Sequence, residues 1–163
     1  MELIPMLLEE MEREAQITRK MLERVPDDKF SWQPHPKSMT MQRLATHVAE
    51  LPEWTKMAVT TDELNLDMDN FEPVLAKNHN ELMEMFEKNL AEGKENLEKS
   101  TETLLNEPWR MRGGEQIYYK ATKADVIRMS FCQTVHHRAQ LGVFLRLNDI
   151  PIPGSYGPSA DEH

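Results

Sequence analysis

Three side chains from two separate stretches of the chain could together hold a metal ion: His47, Gln133 and His137. His47 lies in an apolar stripe between Leu44 and Val48, so its imidazole is predicted to face the protein interior. Gln133 and His137 are four residues apart, a spacing that places both side chains on one face of a helix. Two helices of this kind, packed together, could present all three side chains to one ion.

A buried imidazole needs partners for both ring nitrogens, and the sequence offers two kinds. One is a hydrogen-bond network in which the histidines pair with Gln133, Thr134 or Glu50; the other is a metal ion. Glu50 follows His47 by three residues and could be a ligand, an acceptor behind a ligand, or a catalytic general base. Both explanations remain open from the residues alone.

The neighbours of His137 are expected to have other roles. His136 should point about 100° away around the helix, so we do not expect it to replace Gln133 as a ligand. Cys132 is predicted to be a small buried hydrophobe. Because it is the single cysteine of the chain, no internal disulfide can form, which suits a reducing compartment.

Four amphipathic segments are expected to position these side chains. Apolar residues recur in them at three- and four-residue steps. The predicted helices cover about residues 3–25, 40–54, 78–105 and 122–147.

Individual residues refine these helices. Thr122 and Asp125 have the spacing of a capping box. Pro52 should kink or end the second helix, and Gly93 suggests a close approach between helices. Asn148 is predicted to end the last helix in a left-handed conformation.

The segments between the helices are predicted to be connections. Residues 60–77 form an acidic linker, and residues 108–122 form a second connection with at most a short extended piece. Trp32, in the first loop, is expected to pack over helix ends. Since no convincing alternating strand pattern competes, the sequence predicts an all-α fold, a single four-helix bundle domain over residues 1–163.

Charge and hydropathy exclude some classes of partner. The 163 residues carry a formal net charge of -9, and no block of lysine and arginine offsets it locally, so nucleic acid is not an expected partner. No stretch approaches 18 uncharged apolar residues, so no membrane span is expected. Residues 1–10 lack the basic region of a signal peptide, and we expect a cytoplasmic protein.

Two segments resemble the DinB-like family. Residues 37–54 (KSMTMQRLATHVAELPEW) are similar to the family's second-helix region. Residues 136–154 (HHRAQLGVFLRLNDIPIPG), followed by SYGPSADE, are similar to its fourth helix and tail. With the helix layout, the resemblance extends over nearly the whole chain.

The resemblance implies an up-down-down-up four-helix bundle, often a homodimer, with nickel or zinc held by three histidines. Two of these map to His47 and His137, whereas the third maps to Gln133. An amide oxygen is a poorer zinc ligand than imidazole, so the ion could be weakly bound, different or absent. An apolar patch extended by Leu51 and Trp54 would favour the dimer.

The reaction is the least defined part of the resemblance. The superfamily includes transferases and isomerases that use low-molecular-weight thiols with a metal, which implies metal-assisted thiol activation. We therefore expect a metal-dependent enzyme for thiol transfer or hydrolysis, with Glu50 as base. The alternative is a non-catalytic bundle with a vestigial metal site or a small-molecule pocket.

Overall fold

The computed structural model describes residues 2–67 and 74–162. These ranges are mostly helical, as the apolar stripes predict. The helices are α1 (Leu3–Leu22), α2 (Met41–Glu50), α3 (Glu53–Thr60), α4 (His79–Glu98), α5 (Glu102–Leu105) and α6 (Lys123–Leu147), with a short 3-10 turn at Asp27–Lys29.

The helices begin and end largely where local chemistry requires. The hydroxyl of Thr40 accepts a hydrogen bond from the backbone N–H of Arg43 at the start of α2, and Thr122 and Asp125 form the predicted capping box on α6. The proline at position 52 separates α2 from α3, as expected of a residue without a backbone N–H. The left-handed residue after α6 is Asp149 (φ 56°) rather than Asn148, so that prediction was wrong by one position.

A small sheet corrects the all-α prediction. Strands β1 (Glu63–Asn65), β2 (Pro108–Gly113) and β3 (Gln116–Thr122) form it in the order β1-β2-β3. β1 is parallel to β2, and β2 is antiparallel to β3. β1 lies in the segment predicted as a linker, of which residues 68–73 are outside the described ranges.

One hydrophobic core joins the helices. α1, α2, α3, α4 and α6 pack around it. At Gly93, an added Cβ would lie 2.7 Å from both Met11 Cε and Pro52 O, which confirms the predicted close approach of α4 to its neighbours. Trp32 packs edge to face on Phe144, with ring centroids 5.3 Å apart, as a packing residue should.

A buried lysine ties the end of α3 to the start of α6. Lys123 is 1% exposed, and its ammonium donates to the carbonyl oxygens of Ala58 and Thr61 and to the carboxylate of Asp62. These acceptors satisfy the charge and the last carbonyls of α3 together. None of the helices in residues 2–67 and 74–162 has the length and hydropathy needed to cross a membrane.

Candidate metal centre between α2 and α6

Two imidazoles meet where α2 packs on α6. The rings of His47 and His137 are 4.6 Å apart between centroids and inclined at 74°. His47 comes from the last turn of α2, and its side chain is 20% exposed. The structure therefore brings together the two histidines that the sequence singled out.

Glu50 determines which nitrogen of His47 is free. Nδ1 of His47 lies 3.4 Å from Oε2 of Glu50, and Nη1 of Arg43 lies 3.4 Å from the same oxygen. An ionised carboxylate only accepts hydrogen bonds, so Nδ1 carries the proton and Nε2 keeps its lone pair. Glu50 thus holds His47 in the tautomer that binds a metal through Nε2.

Gln140 performs the same task for His137. Nδ1 of His137 lies 3.0 Å from Oε1 of Gln140, and an amide oxygen also only accepts. The amide nitrogen of Gln140 lies 3.2 Å from Nε2 of His136, to which it donates. His137 is therefore protonated on Nδ1, and its Nε2 is free to bind a ligand.

Burial favours the neutral form of the His137 ring. Desolvation lowers the pKa of His137, and the positive charges that His47, His136 and Arg43 can carry act in the same direction. The hydrogen bond to Gln140 opposes this shift without cancelling it. A neutral imidazole is the form that coordinates metal ions, so this environment suits a ligand.

The residues before His137 lie differently from the prediction. Gln133 is exposed, and its side chain forms no hydrogen bond with the residues described here. Cys132 is exposed as well, so its assignment to the core was wrong. His136 is exposed but does not point away from the site: its ring centroid is 4.8 Å from that of His137.

The buried stripe on α6 is centred on a different residue from the one expected, and this explains the differences. Arg138, which is 2% exposed, occupies the core position next to His137. Its guanidinium donates to the carboxylate of Glu14 at 2.7 Å, to the hydroxyl of Thr18 at 3.0 Å and to the phenol of Tyr156 at 3.0 Å. With Arg138 turned inward, positions 133 and 137 lie at the border of the stripe.

The site therefore offers fewer metal-binding side chains than the three histidines of the family pattern. Among residues 2–67 and 74–162, no group of three or more His, Cys, Asp and Glu side chains is arranged to hold a metal ion. The adjacent imidazoles of His47 and His137 are the remaining candidate donors, and Gln133 lies one helical turn before His137 on α6. The sequence reasoning missed Gln140 and Arg43, although each is one helical turn from a candidate histidine.

A cleft opens beside His47. It has a volume of about 750 Å³ and runs between α2, α3 and α4. Ligand pockets in proteins commonly have about 300–1,000 Å³. His47 and Glu50 both line it, so a small molecule in the cleft would contact the His47–Glu50 pair.

Comparison with known proteins identifies the family of this chain. The DinB family model matches residues 2–162. The chain belongs to the DinB family. No curated protein matches it.

Solved structures of DinB-like proteins share the fold. One from Bacillus cereus ATCC 10987 has 19% sequence identity and a TM-score of 0.73, covering 92% of this chain and 95% of that chain. One from Bacillus subtilis has 15% identity and a TM-score of 0.69, covering 97% and 99% respectively. At these identities the similarity establishes the DinB-like fold, and the chemistry must be argued from this chain's own residues.

Proposed function

We propose that this DinB family protein binds a divalent metal ion, zinc or nickel, through Nε2 of His47 and of His137, and acts as a metal-dependent enzyme on a small molecule. The observation that carries the proposal is the pair of Nδ1 contacts, to Glu50 and to Gln140. Each fixes the tautomer in which Nε2 is the donor. The amide oxygen of Gln133 would complete the set as a weak third ligand.

The residues around the histidines have separate tasks in this proposal. A bound zinc or nickel ion would supply Lewis acidity, which lowers the pKa of a thiol or a water molecule. Glu50 orients His47 and, because it lines the cleft, can accept the proton that the nucleophile loses. Arg43 balances the charge of that carboxylate. This arrangement would serve thiol transfer or hydrolysis, with a low-molecular-weight thiol or water as the nucleophile.

A second candidate is a non-catalytic protein that binds a small molecule. The exposed Gln133 side chain favours it, as does the lack of a three-member donor group among the described residues. The histidine pair would then be the remainder of a metal site, and the cleft beside His47 would be the binding pocket.

Metal binding by protein purified without an affinity tag tests the proposal. We expect zinc or nickel to bind with a stoichiometry of one ion per chain in calorimetric titrations, and His47→Ala or His137→Ala to abolish binding. His79→Ala is the matched control, because His79 contacts the carbonyl oxygen of Val25 away from α6. Binding that survives both alanine substitutions, or no binding in the wild type, would favour the non-catalytic protein.

We also propose the up-down-down-up four-helix bundle and the homodimer. The bundle is obtained when α2 and α3 are counted as one helix broken at Pro52. The patch expected to support a dimer is not formed as predicted, because Leu51 is 2% exposed and Trp54 lines the cleft. The dimer thus rests on family resemblance, and a monomer mass in light scattering at micromolar concentration would rule it out.

A further inference from the structure

Apolar residues occur on every side of α6, so they do not by themselves determine which side of this helix is buried. Ile127, Phe131 and Leu145 are buried. On the opposite side, Val143 and Leu147 are 58% and 60% exposed. A helix with a single apolar stripe buries that stripe, whereas the rotation of α6 about its own axis requires a further determinant.

A polar cluster between α1, α6 and the C-terminal tail provides this determinant. Arg138, at the centre of the buried stripe, donates to Glu14 and Thr18 of α1. It also donates to the phenol oxygen of Tyr156, whose hydroxyl in turn donates to Glu14 at 2.7 Å. We call these four residues the Arg138 clamp. The side chains of Arg138 and Glu14 are 3% and 13% exposed, and a charge so deeply buried is tolerated only with partners of this kind.

The tail is held across both helices, so that Tyr156 reaches the clamp. Asp161 of the tail pairs with Arg146 of α6. Glu162 pairs with Arg24, just after α1, at 3.0 Å. These ion pairs keep the phenol of Tyr156 next to α1 and α6, which gives the tail segment SYGPSADE a task in this chain.

The clamp determines the position of His137, because His137 precedes Arg138 on the same helix. Adjacent residues of an α-helix are about 100° apart around its axis. With Arg138 directed into the core, His137 lies at the border of the stripe, where its ring contacts that of His47. If Arg138 turned toward solvent, α6 would rotate by about one residue and His137 would leave this contact.

We infer that Glu14 and Tyr156 are positioning residues for the histidine pair. By accepting hydrogen bonds from Arg138, they stabilise the rotation of α6 in which His137 faces His47. Both act through Arg138. The inference rests on the proposed function only in that the pair is the proposed metal site, since the contact between the rings requires no metal.

The contact between the two rings is the primary measurement. It is observed as a nuclear Overhauser effect between ring protons of His47 and His137, in tag-free protein with a chelator present. Glu14→Leu leaves the buried charge of Arg138 without its carboxylate, so we expect this effect to disappear. Tyr156→Phe removes one acceptor and keeps the ion pair, so the effect should weaken in a folded protein. In zinc titrations, Glu14→Leu should lower the affinity at least tenfold.

A matched control and a rescue distinguish positioning from general stability. Glu10→Leu is the control, because Glu10 also joins α1 to α6 but through the more exposed Arg128, and it should retain the contact. The rescue combines Glu14→Leu with Arg138→Leu. A leucine at position 138 needs no acceptor, so α6 should keep its rotation and the ring contact should return. A residue that only stabilised the fold would not be rescued by a second loss of native hydrogen bonds.

The outcomes separate this inference from the metal proposal. An unchanged ring contact in Glu14→Leu, an equal loss in Glu10→Leu, or no recovery in the double variant would overturn the inference even if zinc binds. If Glu14→Leu alone does not fold, a folded double variant with the contact supports the inference, and one without the contact overturns it. A wild type that shows the contact but binds no metal would remove the proposed metal-dependent activity and leave the positioning role standing.

Discussion

The imidazole of His47 contacts that of His137 edge to face, at 4.6 Å between centroids, although 90 positions of the chain separate the two residues. Each ring comes from a different helix, and each has its Nδ1 next to an acceptor on its own helix. The geometry of the pair therefore depends on the packing of α2 on α6, and the tautomers depend on local sequence.

Gln133→His should strengthen metal binding. Imidazole is a better donor to zinc or nickel than an amide oxygen, and three protein ligands are usual in open zinc sites. We expect at least a tenfold gain in affinity, about 1.4 kcal/mol, by calorimetric titration of tag-free protein. The gain should disappear with His47→Ala or His137→Ala. It should persist with His136→Ala, because Nε2 of His136 is already engaged by the amide of Gln140. An unchanged affinity would show that Gln133 is not part of the site.

Gln140→Leu should weaken metal binding because it removes the acceptor that holds His137 Nδ1. Loss of such an orienting hydrogen bond typically reduces affinity about 10- to 100-fold. The measurement is best made in the Gln133→His background, where binding is expected to be stronger. Gln140→Glu keeps an acceptor at this position and should bind nearly as well as its parent. Equal losses in both variants would contradict an orienting role.

Gly93→Ala should destabilise the protein. The added Cβ would meet the backbone oxygen of Pro52 at 2.7 Å, and overpacking of this kind typically removes about 1–3 kcal/mol. The gain in helix propensity, about 1 kcal/mol, is too small to offset the upper part of that range. We expect a lower free energy of unfolding in urea.

Gly142→Ala is the matched control for that substitution. Its Cβ would lie 3.4 Å from the flexible methyl group of Met21, an ordinary contact. The same gain in helix propensity should therefore raise the free energy of unfolding by up to about 1 kcal/mol. If the two alanine variants changed stability alike, close packing at Gly93 would not be the cause.

The Glu63 carboxylate should give the small sheet an acid-sensitive contribution to stability. Hydrogen bonds from Arg112 and Arg110 lower the pKa of Glu63 from 4.5 to about 2. A carboxyl group whose pKa is lower in the folded state stabilises the fold at any pH above its pKa in the unfolded state. This contribution is lost as the pH falls toward its pKa in the folded state.

The stability difference between wild type and Glu63→Gln measures this contribution. The difference in free energy of unfolding should be constant above about pH 4.5 and shrink between pH 4.5 and about pH 2. Glu115→Gln, in the exposed turn between β2 and β3, should show no such change. A difference independent of pH would contradict the assigned role of the two arginines.

The helices were predictable because their signals are local. The spacing of apolar residues predicted the helical segments. Pro52 predicted the break between α2 and α3, and Thr122 predicted the start of α6. The sheet was not, because β3 is largely exposed and offers no apolar alternation. Strand β1, at the other edge of the sheet, is only three residues long.

The site was predictable only in part for a different reason. Arginine is rarely buried, so a stripe centred on Arg138 could not be expected from α6 alone. Its partners Glu14 and Tyr156 lie 124 and 18 positions away along the chain. The histidine pair survived this error because His137 is half-buried at the border of the true stripe, whereas the side chains of Cys132 and Gln133 are exposed.

The exposed position of Cys132 has a practical consequence. It is the single thiol of the chain, so a maleimide or nitroxide reagent would attach one label per molecule without any substitution. The label would be next to Gln133 on α6, close enough for a paramagnetic ion at the histidine pair to alter its spectrum. In a homodimer, two such labels would report the distance between the α6 helices of the two copies.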